Sequence, residues 1–199
     1  GFASLESTSI VRTNPMSRNR CGINVGEGAA VFLMSRDEGA VALVGAGESS
    51  DAHHISAPDP HGAGGELALR AALTGAGVDA SSIGYVNLHA TATRKNDDME
   101  ARLMARLFAD GVAASGTKPY TGHQLGAAGA TELGFAWLTL AHDDAALPRH
   151  RWDGEADPAL PPLDLVESER YLPRHAGTQY VMSNSFAFGG SNVSLILAR

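Results

Sequence analysis

Gly116-Thr-Lys-Pro-Tyr-Thr-Gly-His123-Gln-Leu-Gly-Ala-Ala-Gly-Ala-Thr-Glu132 delivers a lysine and a histidine, Lys118 and His123, five positions apart on a loop that feeds a run of glycine and alanine. The run predicts a helix from about Gly122 to His142. Small residues at its start let backbone approach other backbone or a ligand. Free N–H groups and the positive end of the helix dipole favour negative charge there. A lysine and a histidine at such a place suggest chemistry, with a purely structural loop as the alternative.

The elements around this loop alternate. Gly26-Glu-Gly-Ala-Ala-Val-Phe-Leu-Met34 reads as a buried strand. It is expected to pair through an Asp37-Glu38-Gly39 turn with a second strand over Ala40–Gly47. Glu48–Gly65 reads as a long loop, and Gly65–Gly75 as a helix with Leu69 and Leu73 on one face and Gly75 or Gly77 as terminator. Ile83–Leu88 is a short apolar strand. An amphipathic helix follows over Lys95–Phe108, with Met99, Leu103, Met104, Leu107 and Phe108 as its core stripe. Asp143–Leu163, rich in Asp and Pro and holding Trp152, reads as an ordered surface excursion. Tyr180–Asn184 and Val193–Leu197 are two final strands. Strands alternating with helices indicate an α/β fold, and the strand pairs at 29–47 and 180–197 add antiparallel edges to a sheet covered by helices.

Composition bounds the function. The 199 residues are 44% hydrophobic and 19% charged, ordinary for a globular domain or half of a larger one. No apolar run is long enough to span a bilayer. Gly1-Phe-Ala-Ser-Leu-Glu6 shows no signal peptide, so a cytoplasmic location is the default expectation. A net charge of -7 argues against broad nucleic-acid binding. Arg94, Lys95, Arg102 and Arg106 are interleaved with acids and read as a solvated helix face. The single cysteine, Cys21, forms no internal disulfide and reads as a small buried hydrophobe rather than a nucleophile. His53 and His54 are adjacent rather than helically spaced, and no metal site is expected.

Two further loops carry candidate chemistry. Asn87-Leu-His89-Ala-Thr91-Ala-Thr93 lies at a strand end, where open α/β sheets place ligands. In an extended segment the hydroxyls of Thr91 and Thr93 point the same way and suit an amide- or hydroxyl-bearing ligand; a locally hydrogen-bonded turn is the plain alternative. In Asn184-Ser-Phe-Ala-Phe188-Gly-Gly-Ser-Asn192 the paired glycines permit positive φ and expose backbone N–H groups, as an oxyanion hole requires, beside aromatics able to gate. No nucleophile elbow and no phosphate loop is present.

These three loops, in this order, closely resemble the β-ketoacyl-acyl carrier protein synthases, the elongating (type I/II) condensing enzymes of the thiolase superfamily. The resembling elements are His89-Ala-Thr-Ala-Thr93, Lys118–Gly129, Asn184–Asn192 and the strand entry Arg20-Cys-Gly-Ile…Gly26-Glu-Gly-Ala29. The resemblance covers only the C-terminal half of such an enzyme. It implies a thiolase-like fold with one βαβαβαββ half, residues 1–28 connecting from a preceding N-terminal half and residues 29–199 forming the C-terminal ketosynthase domain. Ser49–Pro58 also resembles the synthases of bacterial aryl polyene pathways.

The resemblance also implies roles. His89 and His123 match the two histidines of a Cys-His-His triad that supports decarboxylation of malonyl-ACP. Lys118 matches the active-site lysine, and Glu100 the glutamate that pairs with it; Asp97 matches a neighbouring acid. Thr91 and Thr93 match the hydroxyls that hold the phosphopantetheine arm. Phe188 matches the gating aromatic, with its backbone N–H in the acyl oxyanion hole, and Phe186 lies beside the substrate. No permanently bound cofactor is implied. Acyl carrier protein, the missing half, and a homodimeric or heterodimeric ketosynthase are the implied partners. The nucleophilic cysteine would lie outside these residues, since Cys21 stands where the family has Asp. Ala90 and Ala187 replace glycines, the second stiffening the gate, and Ser191 replaces Thr. A non-catalytic subunit of chain-length-factor type is the alternative, opposed by retention of His89, Lys118 and His123. A thiolase fits poorly because a second cysteine is absent.

Overall fold

A computed structural model describes residues 7–173 and 177–199. The reading of the first six residues lies outside them. The elements run β1 (Ala42–Ser50), α1 (Ala63–Ala76), β2 (Ile83–Asn87), α2 (Arg94–Leu107), β3 (Ala114–Ser115), α3 (Lys118–Thr121), α4 (Ala128–Ala141), β4 (Tyr180–Phe186) and β5 (Ser191–Ala198). The expected βαβαβαββ succession is therefore present, with α3 and α4 together at the third helical place. The sheet has the order β1-β5-β4-β2-β3. β2 runs parallel to both β3 and β4, whereas β5 is antiparallel to β4 and β1, so the sheet is mixed.

Period-two alternation along the central strands divides the core. Val86, Met182 and Ile196 join Leu69, Met99, Leu103 and Met104 on the face carrying α1 and α2. Their neighbours Tyr85, Val181 and Leu197 join Ala136 and Leu140 of α4 on the other face. Each of the larger buried apolar side chains contributes about 1.5–3 kcal/mol. Helix α1 can sit this close to β1 because of Gly47: a Cβ there would meet the Ala68 carbonyl oxygen at 2.0 Å. The helix ends at Gly77, in the left-handed region at φ 69°.

Three expectations change. The apolar run at 29–34 forms no strand and no hairpin with β1; Val31, Leu33 and Met34 are exposed. β1 pairs with β5 through a long register instead. Apolar alternation shows that a segment can be a strand but does not supply the edge it pairs with. The small-residue helix starts at Ala128 rather than Gly122, because Gly122 (φ 68°) and Leu125 (φ 54°) leave helical space. Cys21 is exposed, not buried. Its Sγ lies 3.1 Å from Ser9 Oγ, while the Gly22 N–H beside it turns inward to the Ala92 carbonyl.

Candidate functional site

Helix α2 builds the first wall. Asp97 and Glu100 are three residues apart and so share one helix face, which is fully buried. Glu100 accepts the backbone N–H groups of His89 and Ala90, both at 2.7 Å. Asp97 accepts those of Ala92 at 3.2 Å and Met16 at 2.8 Å. Asn96 Nδ2 donates to both carboxylates, at 3.2 and 3.3 Å. The loop 89–93 is thereby pinned although Ala90 (φ 42°) and Ala92 (φ 63°) occupy the left-handed region that alanine disfavours. Burial pushes Glu100 up to about 7 and Asp97 up to about 6, against the hydrogen bonds that favour their charged forms.

Lys118 enters from the other side. Its buried ammonium reaches Glu132 Oε1 at 2.5 Å and the His89 carbonyl oxygen, and lies 3.4 Å from His89 Nδ1. The lysine is therefore paired with Glu132 of α4 and not, as expected, with Glu100. Both Glu100 oxygens are occupied by backbone amides, and its link to Lys118 is charge attraction alone. Burial raises Glu132 while Lys118 pulls it back. The sequence did hold a signal for it: Glu132 is the single charged residue in Ala128–Ala141.

His123 sits in an extended stretch held by the N-terminal segment. Its N–H donates to the Asn24 carbonyl at 2.7 Å and its carbonyl accepts from Gly26 at 3.0 Å. Gly122 and Gly26 are glycines because two backbones approach closely here: a Cβ on Gly122 would lie 2.8 Å from the Gly26 Cα. The His89 and His123 rings meet edge to face with centroids 5.4 Å apart, and Phe186 packs on His89 at 5.8 Å.

Both rings are neutral, in the same tautomer. Burial and Lys118 hold His89 well below the usual histidine value, and burial takes His123 down to about 4. An ammonium can only donate, so Lys118 leaves His89 Nδ1 as an acceptor. His123 Nδ1 accepts the Leu125 N–H at 3.2 Å. The proton of each imidazole is thus on Nε2, ready to donate.

The remaining candidates line the approach. The Thr91 and Thr93 hydroxyls face each other at 2.9 Å, on the same side as expected. Phe188 is 45% exposed on a turn made by Gly189 (φ 84°) and Gly190 (φ 81°). The amides of these glycines are already used, by the Ile55 and Ala187 carbonyls. No group of three or more His, Cys, Asp or Glu able to hold a metal ion occurs among the described residues. No helix among them is long and apolar enough to cross a membrane.

Two histidines thus sit beside a buried lysine at the strand ends of a mixed α/β sheet. The chain belongs to the β-ketoacyl synthase family: the family's C-terminal domain matches residues 40–150. It is 34% identical to the 3-oxoacyl-[acyl-carrier-protein] synthase 2 of Coxiella burnetii, over 100% of this chain and 51% of that protein. It is 38% identical to the mitochondrial 3-oxoacyl-[acyl-carrier-protein] synthase of Arabidopsis thaliana, over 94% of this chain and 42% of that one. Among solved structures, a ketosynthase in complex with its chain length factor from Xenorhabdus doucetiae superposes with a TM-score of 0.89 at 42% identity, covering 99% of this chain and 48% of that one. A β-ketoacyl synthase from Burkholderia phymatum gives 0.81 at 34% identity, covering 100% and 50%. The chain spans about half the length of the curated relatives it matches.

Proposed function

We propose that these residues are the C-terminal part of a 3-oxoacyl-ACP synthase that condenses an acyl thioester with malonyl-ACP. The supporting observation is the pair of neutral imidazoles, each with its proton on Nε2 and their rings 5.4 Å apart. As malonyl loses CO2, the electrons of the broken C–C bond move into an enolate whose thioester oxygen becomes negative. Two preorganised Nε2–H donors in a buried site stabilise that oxygen. The enolate carbon then attacks the acyl carbonyl, a C–C bond forms, and the thiolate leaves. The acyl-bearing cysteine comes from sequence outside these residues, because Cys21 is exposed beside Ser9. Lys118, itself paired with Glu132, holds the His89 carbonyl and ring, Thr91 and Thr93 take the phosphopantetheine arm, and Phe188 gates acyl entry and offers its N–H to the acyl oxygen. Acyl carrier protein, the preceding half and a second ketosynthase-type subunit are the partners.

A non-catalytic subunit of chain-length-factor type is the second reading. It draws on the solved Xenorhabdus doucetiae relative, a ketosynthase in complex with its chain length factor. CO2 release from malonyl-ACP by the full-length protein separates the two. His123→Ala is expected to abolish release, and unchanged release would remove the role given to His123.

A further inference from the structure

His150 lies outside all three loops, yet it is buried, at 3% exposure. Its Nδ1 accepts the Gly116 N–H at 3.0 Å and its Nε2 meets the Pro15 carbonyl at 3.0 Å. A carbonyl only accepts, so Nε2 carries the proton and Nδ1 is bare. Burial supports this neutral form by taking the ring down to about 4. The residue is itself fixed: its backbone N–H donates to the Val166 carbonyl at 2.7 Å, and Trp152 packs against the ring with centroids 5.6 Å apart.

Gly116 is where three parts of the site converge. A Cβ added there would meet the Ala90 Cβ at 2.4 Å and Pro15 Cγ at 3.6 Å. One neighbour is therefore the strained loop that carries His89. Another is the 13–17 segment, whose Met16 N–H is held by Asp97. Gly116 also begins the stretch that ends in Lys118. Because a buried N–H without an acceptor is costly, loss of the His150 acceptor would drive Gly116 to shift toward another partner or water. Lys118 is two residues further on, and its ammonium spans the short gap between His89 and Glu132.

We propose that His150 is a positioning residue of the condensing site: its Nδ1, by accepting the Gly116 N–H, sets where Lys118 meets His89. This rests on the condensing reading above. It separates two hydrogen bonds that one ring makes, assigning Lys118 placement to the Gly116 bond and only anchoring of the 13–17 segment to the Pro15 bond.

Two substitutions test it in the full-length synthase. His150→Asn places Oδ1 near the position of Nδ1 and keeps an acceptor for Gly116. His150→Gln reaches toward Pro15 and abandons Gly116. His150→Gln is expected to lower the kcat of CO2 release from malonyl-ACP roughly 10- to 100-fold with KM within about twofold, while His150→Asn stays within about threefold of wild type. Equal kcat in both variants, or losses that simply track Tm, would overturn the proposal. Nitrogen NMR of the unsubstituted protein at pH 7 gives a readout that needs no variant: a bare Nδ1 and a protonated Nε2 are expected at His150, and the opposite tautomer or an imidazolium overturns it. His123→Ala run alongside keeps the two ideas apart. If it leaves CO2 release intact, the condensing reading fails, whereas the NMR result still reports on the clamp.

Discussion

The loop at 89–93 and the turn at 187–190 are given parts in the same proposed chemistry but are built in opposite ways. In the first, His89 and Thr91 are buried and two carboxylates hold three of the backbone N–H groups, those of His89, Ala90 and Ala92, so a conformation alanine disfavours is imposed from outside. In the second, glycine supplies the positive φ without strain and Phe188 is left 45% exposed. Groups that stabilise a developing charge gain from being immobile before the reaction. A group that admits a chain has to move. In the proposed reading the 89–93 loop is the floor of the site and the 187–190 turn its gate.

The largest effect should come from breaking the floor. Lys118→Ala leaves the Glu132 carboxylate buried at 2% exposure without its cation. Removing one partner of a buried pair costs about 3–5 kcal/mol, on the order of a 5 °C fall in Tm for a protein twice the length of these residues. Thermal melts of the full-length protein measure it. A double change, Lys118→Met with Glu132→Leu, should recover much of the loss. If the single variant melts like wild type, the floor is not held by this pair.

A pH profile sharpens the contrast next, because the titrating groups, His123 and Glu100, pack against the floor. His123 is lowered to about 4, so its neutral, Nε2-donating form persists below the ordinary histidine value. CO2 release limited by this group should stay level as pH falls through 6.5 and decline only toward 4. A decline centred on 6.5 would show His123 to be solvated rather than buried. Stability carries two opposed contributions. For His123 the unfolded chain takes a proton first, so stability is lost as pH falls from 6.5 toward 4. For Glu100, raised to about 7, stability is lost as pH rises from about 4.5 toward 7.

The gate should respond least in stability and visibly in selectivity. Ala187 sits in a turn closed by its N–H to the Ser191 carbonyl and by the Gly190 N–H to its own carbonyl. Ala187→Gly frees the backbone at a cost of about 0.5–1 kcal/mol. A shift of kcat/KM toward longer or bulkier acyl thioesters, measured across a chain-length series, is the expected gain. An unchanged series would mean that the methyl group of Ala187 does not restrict entry.

Much of the site was legible because its residues sit in compact motifs. His89, Thr91 and Thr93 share one loop, and Lys118 and His123 share another; folding brings the two together through adjacent strand ends. Glu132 was legible in principle as the lone charge on α4, but the resemblance assigned Glu100 as the partner of Lys118. Only the hydrogen bonds from His89 and Ala90 show that Glu100 is already engaged. His150 gave no signal, because a histidine inside a polar excursion looks like any surface histidine. Its burial depends on residues 15 and 116, far away in the chain.

The same division holds for the elements. Helices α1 and α2, with their apolar stripes and the terminal Gly77, follow from local periodicity and capping, as do β2, β4 and β5. These are properties of a few neighbouring residues, so the sequence alone determined them, together with the identity of the two histidines and the lysine. Tertiary structure decided what each of them meets: β5 as the partner of β1, Asn24 and Gly26 as the supports of His123, and Glu132 as the counter-charge of Lys118. Strand pairing and burial of charge depend on which distant groups arrive at the same place, and local sequence does not encode that.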